Sequence, residues 1–362
     1  MVWSFFPLVT LDGKDCRVPE IFEDGEGHSG SVTGVGFKHL VVGWFHGMQP
    51  VDRKTNVLIL GFDEVGKSYT GRTDVMIVAE VDPASGIEII SIPRDLWVTI
   101  PSELVVDGVL RKADTSRMKP SDAPVDRNHN RINAVHRLGN RYFGKGMGLE
   151  LLKRVLKDEL DLSVDYTVAV GYEGVREIID MLGGITVDVP CPIRDNFISQ
   201  TSPSGYEMMD VAAGVQQFNG HQALLYMRSR HGRTDMDRSK RQHLVLKGLR
   251  ERVMNERNFF ALPRLVANMM TYIRTDADVK TILQLATTAR HLHGRLYGMV
   301  MGAPLISAME TPDGRRVLVL NREKYLERRK KRNAVALADL QGQRAGCPGV
   351  DAALNWRNLQ PK

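Results

Sequence analysis

Cysteine is scarce in this sequence of 362 residues: Cys16, Cys191 and Cys347 are the only three, and they lie far apart. An odd number of widely spaced cysteines, without the short spacings of a metal-binding motif, argues against a disulfide framework and against a zinc module. Apolar runs are short as well, since no window reaches the roughly 18 uninterrupted apolar residues of a membrane span. No stretch has the order of a signal peptide. We therefore expect the chain as written to be soluble.

Two common catalytic motifs are also missing. The ten histidines include no H-E-x-x-H pattern, and the sequence has no G-x-S-x-G elbow, so metalloprotease and acyl-transfer chemistry have little support. The composition, with 43% hydrophobic and 25% charged residues, is typical of a globular protein and excludes a disordered or fibrous chain. The formal net charge of +6 is compatible with an anionic partner without requiring one.

Short apolar strands alternate with amphipathic helices along most of the chain, and this alternation predicts an α/β fold. Strands are predicted at 56–61, 75–81, 87–92, 164–171, 185–189 and 226–230. Helices are predicted at 149–160, 174–182, 220–225, 262–272 and 279–293, together with a long helix that begins at Asp237 or Arg238. A hairpin around Asp313-Gly314 is predicted to join 296–301 to 317–320, and 106–130 is predicted to be a polar surface insertion.

Residues 61–68, GFDEVGKS, match the phosphate-binding pattern G-x-x-x-x-G-K-[ST] and follow a predicted strand. A P-loop works because a helix begins at its lysine, so that backbone N–H groups and the helix dipole hold the phosphates. Here the next predicted strand begins at Val75, which leaves too few residues for that helix. A GTP or ATP hydrolase is therefore the less favoured hypothesis, and Lys67 is the residue that tests it.

Two carboxylates and an arginine are predicted to meet at one end of the first three strands. Asp63 follows the first strand, Asp74 precedes the second, and Arg94 follows the third. If these strands are antiparallel neighbours, all three residues lie at one edge and can hold a hard divalent cation together with an anion. The alternative is that Asp63 and Asp74 cap turns while Arg94 pairs with Asp95 at the surface.

A basic segment follows later in the chain. Residues 228–257 contain ten Lys/Arg and four Asp/Glu, a local charge of +6. Arg228 and Arg230 would point to the same face of the predicted strand 226–230. Arg238, Arg241 and Gln242 share the first turns of the long helix, where guanidinium groups are unfavourable unless an anion is bound. Phosphate suits such arginines well. The alternative is a solvated basic face that Asp235 and Asp237 neutralise.

Several blocks in order resemble the LytR-CpsA-Psr family, also called the cell-envelope-related transcriptional attenuator domain. The resemblance runs from about residue 56 to residue 253, a little over half the chain. Any one block is weak, and the specificity comes from their order. The blocks are 56–63 (NVLILGFD), 71–74 (GRTD), 91–95 (SIPRD), 131–134 (RINA), 180–185 (DMLGGI), 218–220 (FNG), 226–230 (YMRSR), 237–238 (DR) and 241–242 (RQ).

The resemblance implies a three-layer α-β-α sandwich with a central mixed sheet and a long hydrophobic pocket for a polyprenyl chain. The chain then divides into an N-terminal extension at 1–53, a catalytic domain at 54–260, and a C-terminal helical and hairpin segment at 261–362 that packs on or extends the domain. Proteins of this family are expected to move a phosphoglycan from undecaprenyl pyrophosphate to a sugar hydroxyl of peptidoglycan, with Mg²⁺ at the pyrophosphate. Mn²⁺ would use the same oxygen ligands.

The family's site residues can be carried over by matching position. Asp63 and Asp74 would hold the metal, and either Asp63 or Asp95 would take the proton of the acceptor hydroxyl. Arg94 would act in both the catalytic and the phosphate-binding set. The pyrophosphate would be bound by Arg94, Arg228, Arg230, Arg238, Arg241 and Gln242. Hydrolysis of the carrier is the expected side reaction where water replaces the acceptor.

The expected partners are a polyprenyl-pyrophosphate-linked glycan, peptidoglycan and the membrane surface, and the expected location is the extracytoplasmic face of the cell membrane. Family members usually begin with a membrane helix, and none is evident in this sequence. Two alternatives remain. A non-catalytic polyprenyl-phosphate carrier would keep the pocket and the arginines without turnover. A nucleic-acid-binding attenuator would use the basic residues, including the run 328–332, but no helix-turn-helix, zinc finger or RNA motif supports it.

Overall fold

The computed structural model describes residues 49–62, 73–114, 116, 129–199, 202–229, 235–255, 262–292, 295–331 and 335–336. Within these ranges a seven-stranded mixed sheet forms the centre of the fold. Its strands, in chain order, are β1 (Thr55–Phe62), β2 (Thr73–Asp82), β3 (Gly86–Ser91), β8 (Tyr166–Gly171), β13 (Ile273–Thr275), β14 (Leu296–Val300) and β17 (Val335–Ala336). Across the sheet they are ordered β13-β8-β1-β2-β3-β14-β17.

The first three strands form the antiparallel meander that the sequence predicts. Two further strands then join the meander in parallel, β8 beside β1 and β14 beside β3. Because β13 and β14 come from the chain after residue 260, the C-terminal part contributes strands to the same sheet as the N-terminal part. The α/β sandwich with a central mixed sheet is thereby confirmed.

Eight helices are present in the described ranges, and they cover both faces of the sheet. They are α1 (Ile132–Tyr142), α2 (Met147–Leu160), α3 (Tyr172–Met181), α4 (Gly220–Arg228), α5 (Asp235–Met254), α6 (Leu262–Met269), α7 (Val279–His291) and α8 (Arg322–Lys331). On one face, Leu58, Leu60 and Phe62 of β1 pack in a core that contains buried residues of α1 and α2. On the other face, Val57 and Ile59 pack in a core that includes residues of α5 and α7. The alternation of β1 between two apolar layers is what a buried strand requires.

The remaining strands form two-stranded ribbons beside the sheet. They are β4 (Trp97–Thr99) with β7 (His129–Arg131), β5 (Glu103–Val106) with β6 (Val109–Lys112), β9 (Ile185–Val189) with β12 (Gly214–Phe218), β10 (Ile193–Ile198) with β11 (Tyr206–Val211), and β15 (Ile306–Glu310) with β16 (Arg316–Leu320). The ribbons β9–β12 and β10–β11 share a separate apolar core with α3, α4 and α5. This second core packs the arginine-bearing helices α4 and α5 against the two ribbons.

Two predictions from local pattern are wrong. Residues 226–228 belong to helix α4 and not to a strand, because Asn219 and Gln222 form a capping box that begins a helix and Tyr226 is fully buried on its inner side. A hairpin does turn at Asp313-Gly314 and leads into 317–320, but its first strand is β15 and not the predicted 296–301. Residues 296–300 pair with β3, and β16 pairs with β15, an exposed strand whose lack of alternation hid it in the sequence. Helix α1 was not predicted at all.

Cys191 is disulfide-bonded, and its partner lies outside the described residues. The cysteine pattern argued against a disulfide framework, and the structure nevertheless contains a disulfide at Cys191. None of the helices in the described ranges combines the length and the apolar character that crossing a bilayer requires.

Candidate functional site

A cavity of about 550 Å³ lies between the sheet and helices α3, α4 and α5. Its walls are mostly apolar, and its polar side chains are few. The apolar lining includes Val57, Ile59, Val75, Ile77, Val168, Val170, Val175, Ile178, Ile179, Leu224, Val245, Leu246, Leu249 and Ile273. The polar and charged lining consists of Asp74, Arg94, Tyr172, Arg228, Arg238 and Gln242. A ligand that fits both parts has a long apolar portion and an anionic group.

Asp74 owes its position to an irregularity in the sheet. Gly61 pairs with Val75 and Phe62 pairs with Thr73, so Asp74 is the extra residue of a β-bulge in β2. A bulge redirects the side chain it carries and commonly occurs next to functional sites. A side chain at Gly61 would meet Val75, since a Cβ built there lies 2.9 Å from the Val75 Cβ. Gly61 thus lets the two strands approach closely at the bulge, and the bulge residue Asp74 lines the cavity.

Arg94 reaches Asp74 from the segment after β3. Its Nη1 donates to Asp74 Oδ1 at 3.1 Å, and both side chains are about one-fifth exposed. Arg94 also forms an ion pair with Asp95, whose other oxygen lies 3.3 Å from Arg131 Nε. The predicted meeting of Asp74 and Arg94 thus occurs, and so does the Arg94–Asp95 pair that was its alternative. Asp95 does not line the cavity.

Arg228 is the last residue of α4 and lies between two aromatic rings at the cavity. Its guanidinium carbon is 5.0 Å from the centroid of Tyr172 and 5.9 Å from that of Phe197. Stacking on aromatic faces holds a guanidinium in place without neutralising its charge. Within the described residues Arg228 makes no salt bridge, so its charge remains available to an anionic ligand.

The three predicted residues of α5 divide into two roles. Arg238 and Gln242 are buried and line the cavity, and Arg238 Nη2 donates to the backbone carbonyl of Asp74 at 3.3 Å. Arg241 is equally buried but does not line the cavity. Its guanidinium donates to the carbonyl oxygen of Ser229, at the end of α4. Arg241 therefore supports the helix that carries Arg228, which differs from the direct phosphate contact expected from the sequence.

The side chain of Ser229 makes a second hydrogen bond, in addition to the one that its carbonyl accepts from Arg241. Its Oγ donates to Asp195 Oδ2 at 2.7 Å, and Asp195 lies on β10 next but one to Phe197. The end of α4, the start of α5 and the β10–β11 ribbon are joined by these contacts. As a result, Arg228 and its aromatic partner Phe197 keep a defined relation to each other.

A buried histidine joins α5 to the meander. His243 Nε2 and Ser91 Oγ are 2.6 Å apart and share a hydrogen bond, and both residues are almost completely buried. Burial lowers the pKa of His243 from 6.5 to about 4, so the ring is neutral at physiological pH. Ser91 ends β3, three residues before Arg94. This bond therefore holds the helix with Arg238 and Gln242 against the strand end that leads to Arg94.

Several predicted residues cannot be placed. Asp63, Arg230 and the P-loop-like residues 63–68 lie outside the described residues. Among the residues that the structure does describe, no cluster of three or more His, Cys, Asp or Glu forms a metal site. Within the basic run 328–332, Arg329 is largely removed from solvent, because it makes ion pairs with Glu80 and Glu88 on the sheet.

Sequence reasoning missed Tyr172, Phe197, Asp195 and His243. They come from three elements, α3, β10 and α5, and none belongs to a motif of regular spacing. For Tyr172 the only signal is that aromatics are few, with 7% of the chain, and that it follows the predicted strand 164–171. No predicted element adjoins Phe197. That signal is too general to identify the aromatic rings on which Arg228 stacks.

Comparisons with known proteins agree with this geometry. The model of the LytR_cpsA_psr family matches residues 43–327, well over half of the chain. Over 234 residues the chain is 26% identical to the polyisoprenyl-teichoic acid–peptidoglycan teichoic acid transferase TagV of Bacillus subtilis, covering 64% of this chain and 51% of TagV. It is 24% identical over 251 residues to the regulatory protein MsrR of Staphylococcus aureus, covering 68% of this chain and 64% of MsrR. The chain thus spans about half to two thirds of these relatives.

The fold is shared with solved structures. TagT of B. subtilis bound to LIIa-WTA superposes with a TM-score of 0.55 at 19% identity, over 82% of this chain and 98% of the TagT chain. At this level of identity the likeness concerns the fold.

Proposed function

Because the chain belongs to the LytR_cpsA_psr family, we propose that it transfers a phosphoglycan from an undecaprenyl-pyrophosphate carrier to a sugar hydroxyl of peptidoglycan. The observation that carries this proposal is the cavity itself, whose mostly apolar lining also contains Arg94, Arg228 and Arg238. A prenyl chain with a pyrophosphate at one end has the matching distribution of apolar and anionic groups. The printed name of TagV describes a transfer of this kind, and TagT has been crystallised with a LIIa-WTA ligand.

The reaction breaks the P–O bond between the glycan-bearing phosphorus and the carrier phosphate, and it forms a P–O bond to the acceptor oxygen. Polyprenyl phosphate leaves with the bridging oxygen, and negative charge grows on it. Arg228, Arg238 and Arg94 line the cavity, and in this proposal they would donate charge-assisted hydrogen bonds to the two phosphates. Positioning and charge stabilisation supply most of the rate in such transfers. Asp63 or Asp95 would accept the proton of the acceptor hydroxyl.

The Asp74 carboxylate at the cavity would suit magnesium, or manganese in its place. Asp74 Oδ1 is bonded to Arg94, while Oδ2 makes no hydrogen bond or ion pair to a described residue. A carboxylate oxygen at the cavity wall, combined with substrate phosphates, is a usual environment for Mg²⁺. Asp63 would be the second protein ligand. The cation, when bound, would supply positive charge at the leaving phosphate.

We also propose that the protein works at the extracytoplasmic face of the cell membrane, where carrier and peptidoglycan are both accessible. The disulfide at Cys191 fits an oxidising compartment. A non-catalytic lipid carrier would use the same cavity and is the second candidate. The relative MsrR is named a regulatory protein, which is relevant to the nucleic-acid-binding alternative. Arg329 adds no basic surface for nucleic acid, because it forms ion pairs with Glu80 and Glu88.

Release of polyprenyl phosphate from undecaprenyl-pyrophosphate-linked N-acetylglucosamine tests the proposal, with and without Mg²⁺ and with a peptidoglycan fragment as acceptor. Arg228→Ala should reduce turnover by about a hundredfold, the usual cost of removing one donor to a developing charge. Arg154→Ala is the matched control, because Arg154 pairs with Asp158 on α2 at the opposite side of the sheet. Asp74→Ala should abolish the Mg²⁺-dependent turnover.

The outcomes separate the candidates. Lipid turnover that requires Mg²⁺ and is lost in both site variants supports transfer. Tight binding of the lipid without turnover supports the carrier function. GTP or ATP hydrolysis that disappears in Lys67→Ala would contradict the proposal and favour the P-loop hypothesis.

A further inference from the structure

The ribbon formed by β10 and β11 has one apolar face that nothing in the described structure covers. Ile198 pairs with Tyr206, and Asn196 pairs with Met208. Since alternate residues of a strand point to opposite faces, Ile198, Tyr206 and Met208 lie on one side of the ribbon. Their exposed fractions are 83%, 56% and 56%. We call these three side chains the apolar tip.

The other face of the same ribbon forms part of the candidate site. Phe197, between Asn196 and Ile198, lines the cavity and lies beneath the guanidinium of Arg228. Asp195 on that face accepts the hydrogen bond from Ser229. The apolar tip is therefore separated from the cavity only by the thickness of a two-stranded ribbon.

The chemistry of the tip favours a lipid surface. No charged residue occurs between Asn196 and Tyr206, in a chain with 25% charged residues. Glu207 lies between Tyr206 and Met208, but it pairs with Phe197 on the other face of the ribbon and shares a hydrogen bond with His221. Further along the ribbon, Arg194 forms an ion pair with Asp210. An aliphatic residue, a methionine and a tyrosine without competing charge are typical of segments that enter the interface of a bilayer.

We infer that the apolar tip docks on the bilayer and brings the cavity next to the membrane, so that a prenyl chain passes from lipid to protein. The inference rests on the proposed function, because only a membrane-borne ligand requires this contact. We favour a bilayer over another partner because the tip lies on the same ribbon as Phe197, which lines the cavity for the prenyl chain. A second copy of this chain would bury the tip equally well, and the test includes it.

The chain offers a matched control on a second exposed ribbon. Val105, Val109 and Leu110 of β5–β6 are 54–57% exposed. This ribbon packs through Leu104 on the core that contains α1 and α2, whereas the cavity lies on the opposite face of the sheet. A triple substitution there removes a similar apolar area without touching the site.

The experiment compares the full chain with Ile198→Ser/Tyr206→Ser/Met208→Ser and with Val105→Ser/Val109→Ser/Leu110→Ser. Binding to vesicles of phosphatidylglycerol and phosphatidylethanolamine is measured by flotation. Turnover is measured with undecaprenyl-pyrophosphate-linked N-acetylglucosamine, once in these vesicles and once in detergent micelles. The tip variant should bind vesicles about tenfold more weakly or worse, since burial of a single large apolar side chain contributes on the order of tenfold. Its turnover should fall in vesicles and stay unchanged in detergent, and the control variant should match the wild type.

Equal vesicle binding by wild type and tip variant would overturn the inference. So would an equal loss of turnover in vesicles and in detergent, or a dimer of the wild type that the tip variant lacks in sedimentation. A lack of turnover by the wild type in both media would instead contradict the proposed function, and flotation would still decide the docking. The circular dichroism spectrum and the unfolding midpoint of each variant show that a loss is not caused by misfolding.

Discussion

The buried histidine makes the stability of this protein depend on pH in a way that can be calculated. His243 has a pKa of about 4 in the folded protein and an ordinary value of 6.5 when exposed, and burial is the cause. Between these two values the unfolded chain binds a proton that the folded chain does not bind. The free energy of unfolding therefore falls as the pH falls through this window, and the contribution of His243 is complete above it.

The size of the effect follows from the difference in pKa. Integration from about pH 7.5 to about pH 5 gives a loss of about 2 kcal/mol from this one side chain, and the full difference corresponds to about 3 kcal/mol. His243→Gln removes the titration while keeping a polar group of similar size opposite Ser91. We expect the variant to lose about 2 kcal/mol less stability than the wild type over the same pH range.

Urea unfolding at several pH values measures this difference. Carboxylates also titrate below about pH 5, but they titrate in both proteins and cancel in the comparison. Glu80 is one of them: burial alone would raise its pKa, but Arg329 and Lys54 hold it below the ordinary value. The reasoning would be refuted if the free energies of unfolding of wild type and His243→Gln changed equally with pH. An NMR titration that gave His243 a pKa near its ordinary value would refute it as well.

Further expectations concern the cavity and its charged lining. Asp74→Asn should raise the Mg²⁺ concentration needed for half-maximal turnover, which a metal titration measures; an unchanged requirement would remove Asp74 from the metal site. Val168→Phe should fill part of the cavity and raise KM for a long prenyl carrier more than for a short one. An equal effect on both carriers would show that the cavity does not hold the chain. Phe197→Leu should raise KM about two- to fivefold by removing one ring beneath Arg228, while kcat changes little. A fall in kcat alone would assign Phe197 a different role.

Local sequence determined the meander and the meeting of Asp74 with Arg94. The apolar runs and the turn at Asp82–Gly86 dictate antiparallel neighbours, and in such a sheet the residues after one strand and before the next must share an edge. The sequence also predicts the long helix with Arg238 and Gln242 on shared turns, because helical spacing depends on only a few consecutive residues.

Tertiary structure decided what spacing cannot encode. Residues 226–228 could form a strand or a helix by pattern, and the burial of Tyr226 against a core from distant segments made them helical, which removed the strand geometry assumed for Arg228. Residues 296–300 joined β3 in parallel instead of forming a local hairpin. Other contacts at the site also join segments far apart in the chain. They are the stacking of Arg228 on Tyr172 and Phe197, the bond from Arg241 to Ser229 and the bond between His243 and Ser91. Which segments become neighbours depends on how the whole chain buries its apolar surface, and no local pattern carries that information.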